Sequence, residues 1–230
     1  HPMVSGKANK KLGGKSSTFK PAYLKPTDNL TTAQALKRLP GENFNGVLTP
    51  LQRKDFTRTT LMVEQDKSIG YREEWMAVQA VVNGSVVVEG DDYETQIVDF
   101  DRSASNNITL VGAAKWDTVD PATYDPADDI EAWADLCSGV AGLLVFSADT
   151  WAKFKSFTAV KEALKRDSGS VTSLELTPQL SKVVQYKGNY GEYECVVYKG
   201  KFRPKAGEAE QPFMPSGQLV IAPLVGEDVR

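Results

Sequence analysis

The chain is nearly without histidine and poor in cysteine: His1 is the single histidine among 230 residues, and Cys137 and Cys195 are the only cysteines. Without a second imidazole, a Ser/His/Asp or Cys/His mechanism has no credible base. One imidazole and two separate thiols also fall short of an ordinary zinc site. Both cysteines stand in apolar stretches and read as small core residues of a protein from a reducing, intracellular setting. No run approaches the roughly 20 apolar residues that cross a bilayer, and the first residues show no apolar stretch of signal-peptide type, so a soluble protein without membrane contact is expected. The glycines follow neither GxGxxG nor GxxxxGK[ST] spacing, which leaves no phosphate-binding loop. Carboxylates are the remaining chemistry. Asp128 and Asp129 with Asp125 form the one acidic grouping of interest, but consecutive helical positions point about 100° apart, so capping and solvation explain them better than acid/base work. No catalytic, cofactor-binding or metal-binding residue is expected.

What is present is a chain that is 41% hydrophobic, enough to bury a core as one large domain or two small ones. The net charge of −3 conceals a sharp polarity. Residues 1 to 60 hold 11 Lys and Arg against Asp28, Glu42 and Asp55, a local +8, while residues 89 to 135 hold 13 acids against Arg102 and Lys115, a local −11. Three readings fit: two solvated faces of one subunit, a basic arm lying on the acidic surface of a neighbouring copy, or a basic arm facing nucleic acid through phosphates alone.

Along the chain, residues 1 to 49 are rich in Gly, Ser, Lys and Pro, with Phe19, Tyr23 and Leu24 as their few anchors, and predict an extended arm. TTAQALKRL at 31 to 39 fits a short helix or a returning strand. Residues 50 to 83 predict one long helix, opened by Pro50 and stopped by Asn83-Gly84, with Met62, Ile69 and Met76 recurring every seven residues. Leu61, Trp75, Val78 and Val82 widen that stripe, which should pack against something. A hairpin follows over 85 to 100, where Asp91 and Asp92 serve a turn better than calcium, which needs more oxygen ligands. Farther on, the 187 to 191 segment KGNYG predicts the turn before a strand from Tyr193 to Tyr198, residues 205 to 210 an exposed loop, and 219 to 222 a last strand.

The densest program lies between Lys115 and Asp167. Asp125 and Pro126 should open a helix reaching about Cys137, Val140 to Phe146 suits a strand covered on both faces, and Ser147 should start a helix presenting Trp151, Phe154 and Phe157 on one side, with a second helical piece over 158 to 166. The residues themselves say more: YDPADDIEAW (124 to 133), the VFS, W, F and SF series (145 to 157) and AVKEALKRDSGS (159 to 170) resemble the major capsid (head) protein family of lambda-like tailed bacteriophages. The resemblance extends in order through STFKPAYLKP (17 to 26), LKRLPGE (36 to 42), RSASNNIT (102 to 109) and KVVQYKGNYGEYECVVYKGKF (182 to 202), most of the chain.

The resemblance implies an α+β chain of the Hong Kong 97 type of phage capsid fold: residues 1–49 an extended loop or arm, 50–102 a peripheral domain of spine helix and β-hairpin, 103–222 an axial domain, and 223–230 a C-terminal segment. It implies further chain on both sides, so a fragment, or a chain with breaks, is expected. By the same resemblance the function is self-assembly, as a phage or prophage major capsid subunit, into an icosahedral head that encloses DNA. Partners would be copies of itself in hexamers and pentamers, portal, scaffold and decoration proteins, and packaged DNA without sequence specificity. The protein would reside in the host cytoplasm before assembly and in the virion afterwards. Subunit-contact candidates are Lys7, Lys10, Lys11, Lys15, Phe19 and Tyr23 on the arm, and Asp91, Asp92, Asp125, Asp128 and Asp129 on acidic surfaces. Rival readings are a tail-tube or decoration component, disfavoured by the long helix and basic arm, and a hydrolase, which would need a pocket with converging carboxylates.

Overall fold

A computed structural model describes residues 23–31, 33, 36–39, 41–42, 48–90, 93–137, 139–167, 183–204 and 207–223. Its first long element is α1 (Pro50–Asn83), 34 residues and therefore about 51 Å long at 1.5 Å per residue. Thr49 opens it with a capping box: its backbone N–H donates to Gln52 Oε1 at 2.9 Å and its hydroxyl accepts from the Gln52 N–H at 3.3 Å, while Pro50 spends no donor. The weak helix formers Thr57, Thr59 and Thr60 return their hydroxyls to the carbonyls four residues back at 2.8, 2.9 and 3.0 Å. At the other end Gly84 takes φ 71°, and its N–H closes on the Ala80 carbonyl at 3.0 Å, the stop expected at Asn83-Gly84.

The helix is unevenly covered. Val82 is its one buried residue, Ile69, Trp75, Met76 and Val78 are half-buried, and Met62 is 59% exposed. Among the described residues the predicted stripe, with Leu61 half-buried farther back, is covered mostly toward the C-terminal end. There β1 (Ser85–Gly90) and β2 (Tyr93–Asp99) form an antiparallel hairpin in which Val86 faces inward while the Val87 and Ile97 pair faces solvent. The Asp91-Asp92 turn lies outside the described residues.

The larger body is a four-stranded mixed sheet in the order β4-β5-β3-β8, made of β3 (Ala141–Phe146), β4 (Val184–Tyr190), β5 (Tyr193–Tyr198) and β8 (Leu219–Pro223). β3 runs parallel to β5 and antiparallel to β8, so it sits inside the sheet, half-buried on one face and fully buried on the other. Between β3 and β4 run α3 (Ala148–Phe154) and α4 (Thr158–Asp167), as the apolar spacing predicts. Ser147 stands at the N-cap position of α3, where its hydroxyl donates to Asp149 Oδ1 at 2.7 Å and shares a hydrogen bond of 2.8 Å with Thr150 Oγ1.

Two boundaries differ from expectation. The helix expected over Pro126 to Cys137 is the shorter α2 (Ala127–Ala134), because Leu136 and Cys137 donate to the carbonyls three residues back and tighten the last turn. The turn expected over 187 to 191 narrows to Gly191-Glu192, with Gly191 at φ 59° in the first central position. Lys187, Asn189 and Tyr190 instead belong to β4, which absorbs an extra residue as a bulge between Tyr186 and Gly188.

One core joins these pieces. Ile130 of α2, Leu144 and Phe146 of β3, Phe154 of α3, Phe157, Val160 of α4, and Cys195 and Val197 of β5 are buried together. Trp116 closes the cluster, its ring centroid 5.8 Å from each of Trp133, Phe154 and Phe157. A second, smaller pad joins the sheet to α1. After β5 the chain forms the two-residue pair β6 (Lys201–Phe202) and β7 (Gln211–Pro212), and Phe213 stacks on Phe202 at 4.9 Å while meeting Tyr71 of α1 at 6.3 Å. Tyr198 of β5 donates its hydroxyl hydrogen bond to Glu74 of α1.

Candidate assembly surfaces

The acidic edge is partly structural. Asp125 Oδ1 accepts from the Ala127 N–H at 3.0 Å, serving as an α2 cap, and interacts with the Tyr190 hydroxyl. Asp129 turns inward: its Oδ2 accepts from Trp116 Nε1 at 2.9 Å and from the Tyr124 hydroxyl, pinning the loop before α2 onto the helix. Burial and then the Asp129 hydrogen bond push Tyr124 up to about 12, and burial followed by Asp125 does the same to Tyr190. Asp128, next to both, is exposed. Of the arm candidates, Tyr23 is 76% exposed with Lys25 Nζ 5.0 Å above its ring, while Lys7, Lys10, Lys11, Lys15 and Phe19, like Asp91 and Asp92, lie outside the described residues.

The link from the arm to the long helix is specific. Arg53 grips Glu42 in a fork, Nη2 to Oε1 at 2.7 Å and Nε to Oε2 at 3.1 Å, and the Leu39 N–H donates to the same carboxylate at 3.0 Å. The Arg53 hydrogen bond, followed by the Leu39 N–H, holds the Glu42 carboxyl below its ordinary range.

Nothing in the local pattern around Arg102 singles it out. Its guanidinium donates to the Val81 carbonyl at 2.6 Å and the Val82 carbonyl at 2.7 Å, satisfying the C-terminal acceptors of α1 from 20 residues downstream. Only the lack of any basic residue in the last turn of α1 hinted that a cation would have to come from elsewhere.

A cleft of about 680 Å³ opens between the end of α1, the loop after Arg102, and β8. Among the described residues Asp117 is the one acidic residue lining it, and it is paired with Lys153. The described lining offers no second carboxylate for general acid/base chemistry. Among the described residues no three His, Cys, Asp or Glu side chains assemble as a metal site, and no helix is long and apolar enough to cross a membrane. Large apolar side chains instead stand in solvent along the outer part of α1: Leu51 at 67%, Phe56 at 58%, Met62 at 59% and Val63 at 48% exposure.

The described residues form a mixed helix-and-sheet body that carries a long, half-covered helix. The chain belongs to the phage major capsid protein E family, whose profile matches residues 1–228. It is 42% identical to the major capsid protein of Escherichia phage N15 and 38% identical to that of Escherichia phage lambda, in each case over 230 residues, all of this chain and 67% of the relative. A P21 prophage-derived major head protein of E. coli O6:H1 is 34% identical over the same span. A crystal structure described as a prophage capsid protein of E. coli CFT073 superposes with a TM-score of 0.66 at 29% identity, covering 84% of this chain and 56% of that one. The chain thus spans about two-thirds of the curated relatives and about half of the structural one. The relationship carries the function of a capsid subunit.

Proposed function

We propose that the protein builds an icosahedral phage or prophage head of the Hong Kong 97 type by self-association. In this reading residues 1–49 are the extended loop, 50–102 the peripheral domain with α1 as its spine, 103–222 the axial domain, and 223–230 a C-terminal segment. Axial-domain contacts form hexamers and pentamers. The loop, carrying Lys7, Lys10, Lys11, Lys15, Phe19 and Tyr23, lies across a neighbour whose acidic surface includes Asp91, Asp92, Asp125 and Asp128, with Asp129 holding that surface in shape. The shell encloses DNA, binds portal, scaffold and decoration proteins, and is built in the host cytoplasm.

The observation that carries the reading is the full-length family match, with two-thirds of each relative aligned. Exposed apolar side chains on α1 support it, because a monomer gains nothing from leaving Leu51, Phe56 and Met62 in water. The test is electron microscopy of the full-length protein expressed alone and with its neighbouring head genes. Closed shells are expected in one or both conditions, and a monomer in both would overturn the proposal.

A further inference from the structure

β2 ends in an acidic knuckle that presents an aromatic ring. Asp99, Phe100 and Asp101 are all exposed, Phe100 at 57%. Their backbone is fixed on both sides: the Phe100 N–H donates to the Gly84 carbonyl at 3.0 Å, and Arg102 forks onto the Val81 and Val82 carbonyls. Asp101 takes φ 56°, a left-handed conformation that Asp tolerates better than most residues, and its N–H donates to Asp99 Oδ1 at 2.9 Å. A large apolar side chain is thus held in water on a backbone with little freedom left to lose, which is what a preorganised binding anchor requires. The cleft beside the knuckle complements it. Its lining includes Trp116 and Trp133, half-buried and stacked at 5.8 Å, with Ile108 and Leu136 at 47% and 41% exposure. Among the described residues the lining carries the cations Arg102, Lys115 and Lys153 against the carboxylate of Asp117, a local +2. Arg102 directs its guanidinium at neutral carbonyls, which leaves its charge uncancelled by them, while Asp99 and Asp101 give the knuckle −2 around its ring. At about 680 Å³ the cleft has room for a Phe side chain, which buries about 150–250 Å². Phe100 does not line the cleft of its own chain, yet only Asp101 separates it from Arg102, which does, so anchor and receptor lie side by side.

We infer that Phe100 of one copy seats in this cleft of a second copy, with Asp99 and Asp101 facing its basic lining. Because the two patches adjoin, a two-fold axis lets each copy give its knuckle and receive the other's, so the contact forms twice. Opposite charge sets the register, and the buried ring supplies the hold. The inference rests on the capsid reading and names one pair of surfaces that meet.

The test uses the full-length protein with a photo-reactive benzoylphenylalanine in place of Phe100, and isotopically light and heavy copies are mixed so that links between copies are told from links within one. Mass spectrometry should place the links at residues 106–110 and 133–137 of the second copy; links that fall elsewhere, or only within one chain, overturn the inference. Self-association is then followed by sedimentation across protein and salt concentrations, with circular dichroism and Tm measured on every variant. Phe100→Ala and Lys115→Glu should each raise the concentration needed for association by at least about tenfold. Asp101→Asn, which keeps the left-handed turn, should weaken association at low salt and have less effect at high salt. Phe100→Leu retains an apolar anchor and should keep most of the association, which keeps the test readable if Phe100→Ala unfolds the chain. Failure of the unchanged protein to associate at all would remove the capsid reading and this inference with it. Association of the unchanged protein together with undiminished association of Phe100→Ala would remove this inference alone.

Discussion

Gly200 and Gly70 should respond to the same substitution with opposite signs. A Cβ at Gly200 would stand 2.6 Å from Val183 Cγ1 and 2.9 Å from both Phe213 Cδ2 and Tyr198 Cε1. Val183 can rotate, but Phe213 is 3% exposed and stacked on Phe202, and Tyr198 is held by Glu74. Forcing one methyl into such packing costs about 1–3 kcal/mol, which for a chain of this length is a Tm loss of about 2–12 °C. Gly70 is exposed within α1 and nothing lies within 4 Å of its added Cβ, so Gly70→Ala should stabilise by about 0.5–1 kcal/mol through helix propensity. Thermal unfolding followed by tryptophan fluorescence and by circular dichroism at 222 nm reads both. A Gly200→Ala Tm within about 1 °C of the parent would show that the pad between the sheet and α1 is loosely packed, and the reasoning from close approach would fail.

Arg102→Ala should lower stability by about 1–2 kcal/mol, because it strips the cation from two helix-end carbonyls, and Arg102→Lys should recover only part of that; denaturant midpoints decide, and an unchanged midpoint for Ala would remove the capping role. Cys195 is pushed up to about 12 by burial, as Tyr124 and Tyr190 are pushed up to about 12 by burial and neighbouring carboxylates, so each stays neutral in the fold at a pH where the unfolded chain ionises. The unfolded state then binds fewer protons, and stability should fall between about pH 9 and pH 12, measured as urea midpoints; a flat profile to pH 11 would contradict it. Phe56→Asp and Met62→Asp replace apolar groups already in water, so the Tm of the monomer should move by no more than about 1–2 °C while shell formation is lost; shells at the parental concentration would show that these side chains of α1 do not lie in an interface.

The elements whose signals are local were legible. Thr49-Pro50 and Asn83-Gly84 carry their caps within a few residues, so α1 was readable to its ends, and the short apolar run from Val140 to Phe146 pointed to β3 without any knowledge of its partners. What could not be read depends on distant chain. Arg102 caps a helix 20 residues away, Phe213 reaches Tyr71 across most of the sequence, and the strand order β4-β5-β3-β8 puts neighbours together that sequence order separates. Lys187 fell on the wrong side of a boundary because KGNYG carries two glycines that both adopt positive φ, one for a bulge and one for the turn. Composition alone cannot tell these uses apart. Asp129 was legible as acidic but not as inward-facing, since its donors Trp116 and Tyr124 lie in a loop whose path is set by the core.

The uneven burial of α1 connects these details to assembly. Near one end the helix is fixed by independent ties: the Gly84 turn, the Arg102 fork, the Tyr71 contact with Phe213 and the Tyr198 bond to Glu74. From Tyr71 back to Pro50 the helix runs about 32 Å at 1.5 Å per residue, and the arm is tied to that far end through Arg53 and Glu42. A rotation of about 5° at the joint therefore displaces the Pro50 end by about 3 Å, more than half of one helical turn. Interfaces packed to interior density do not tolerate that displacement. The small pad around Phe213 consequently decides where Leu51, Phe56 and the arm meet a neighbouring subunit, so a change there should disturb assembly out of proportion to its cost in monomer stability.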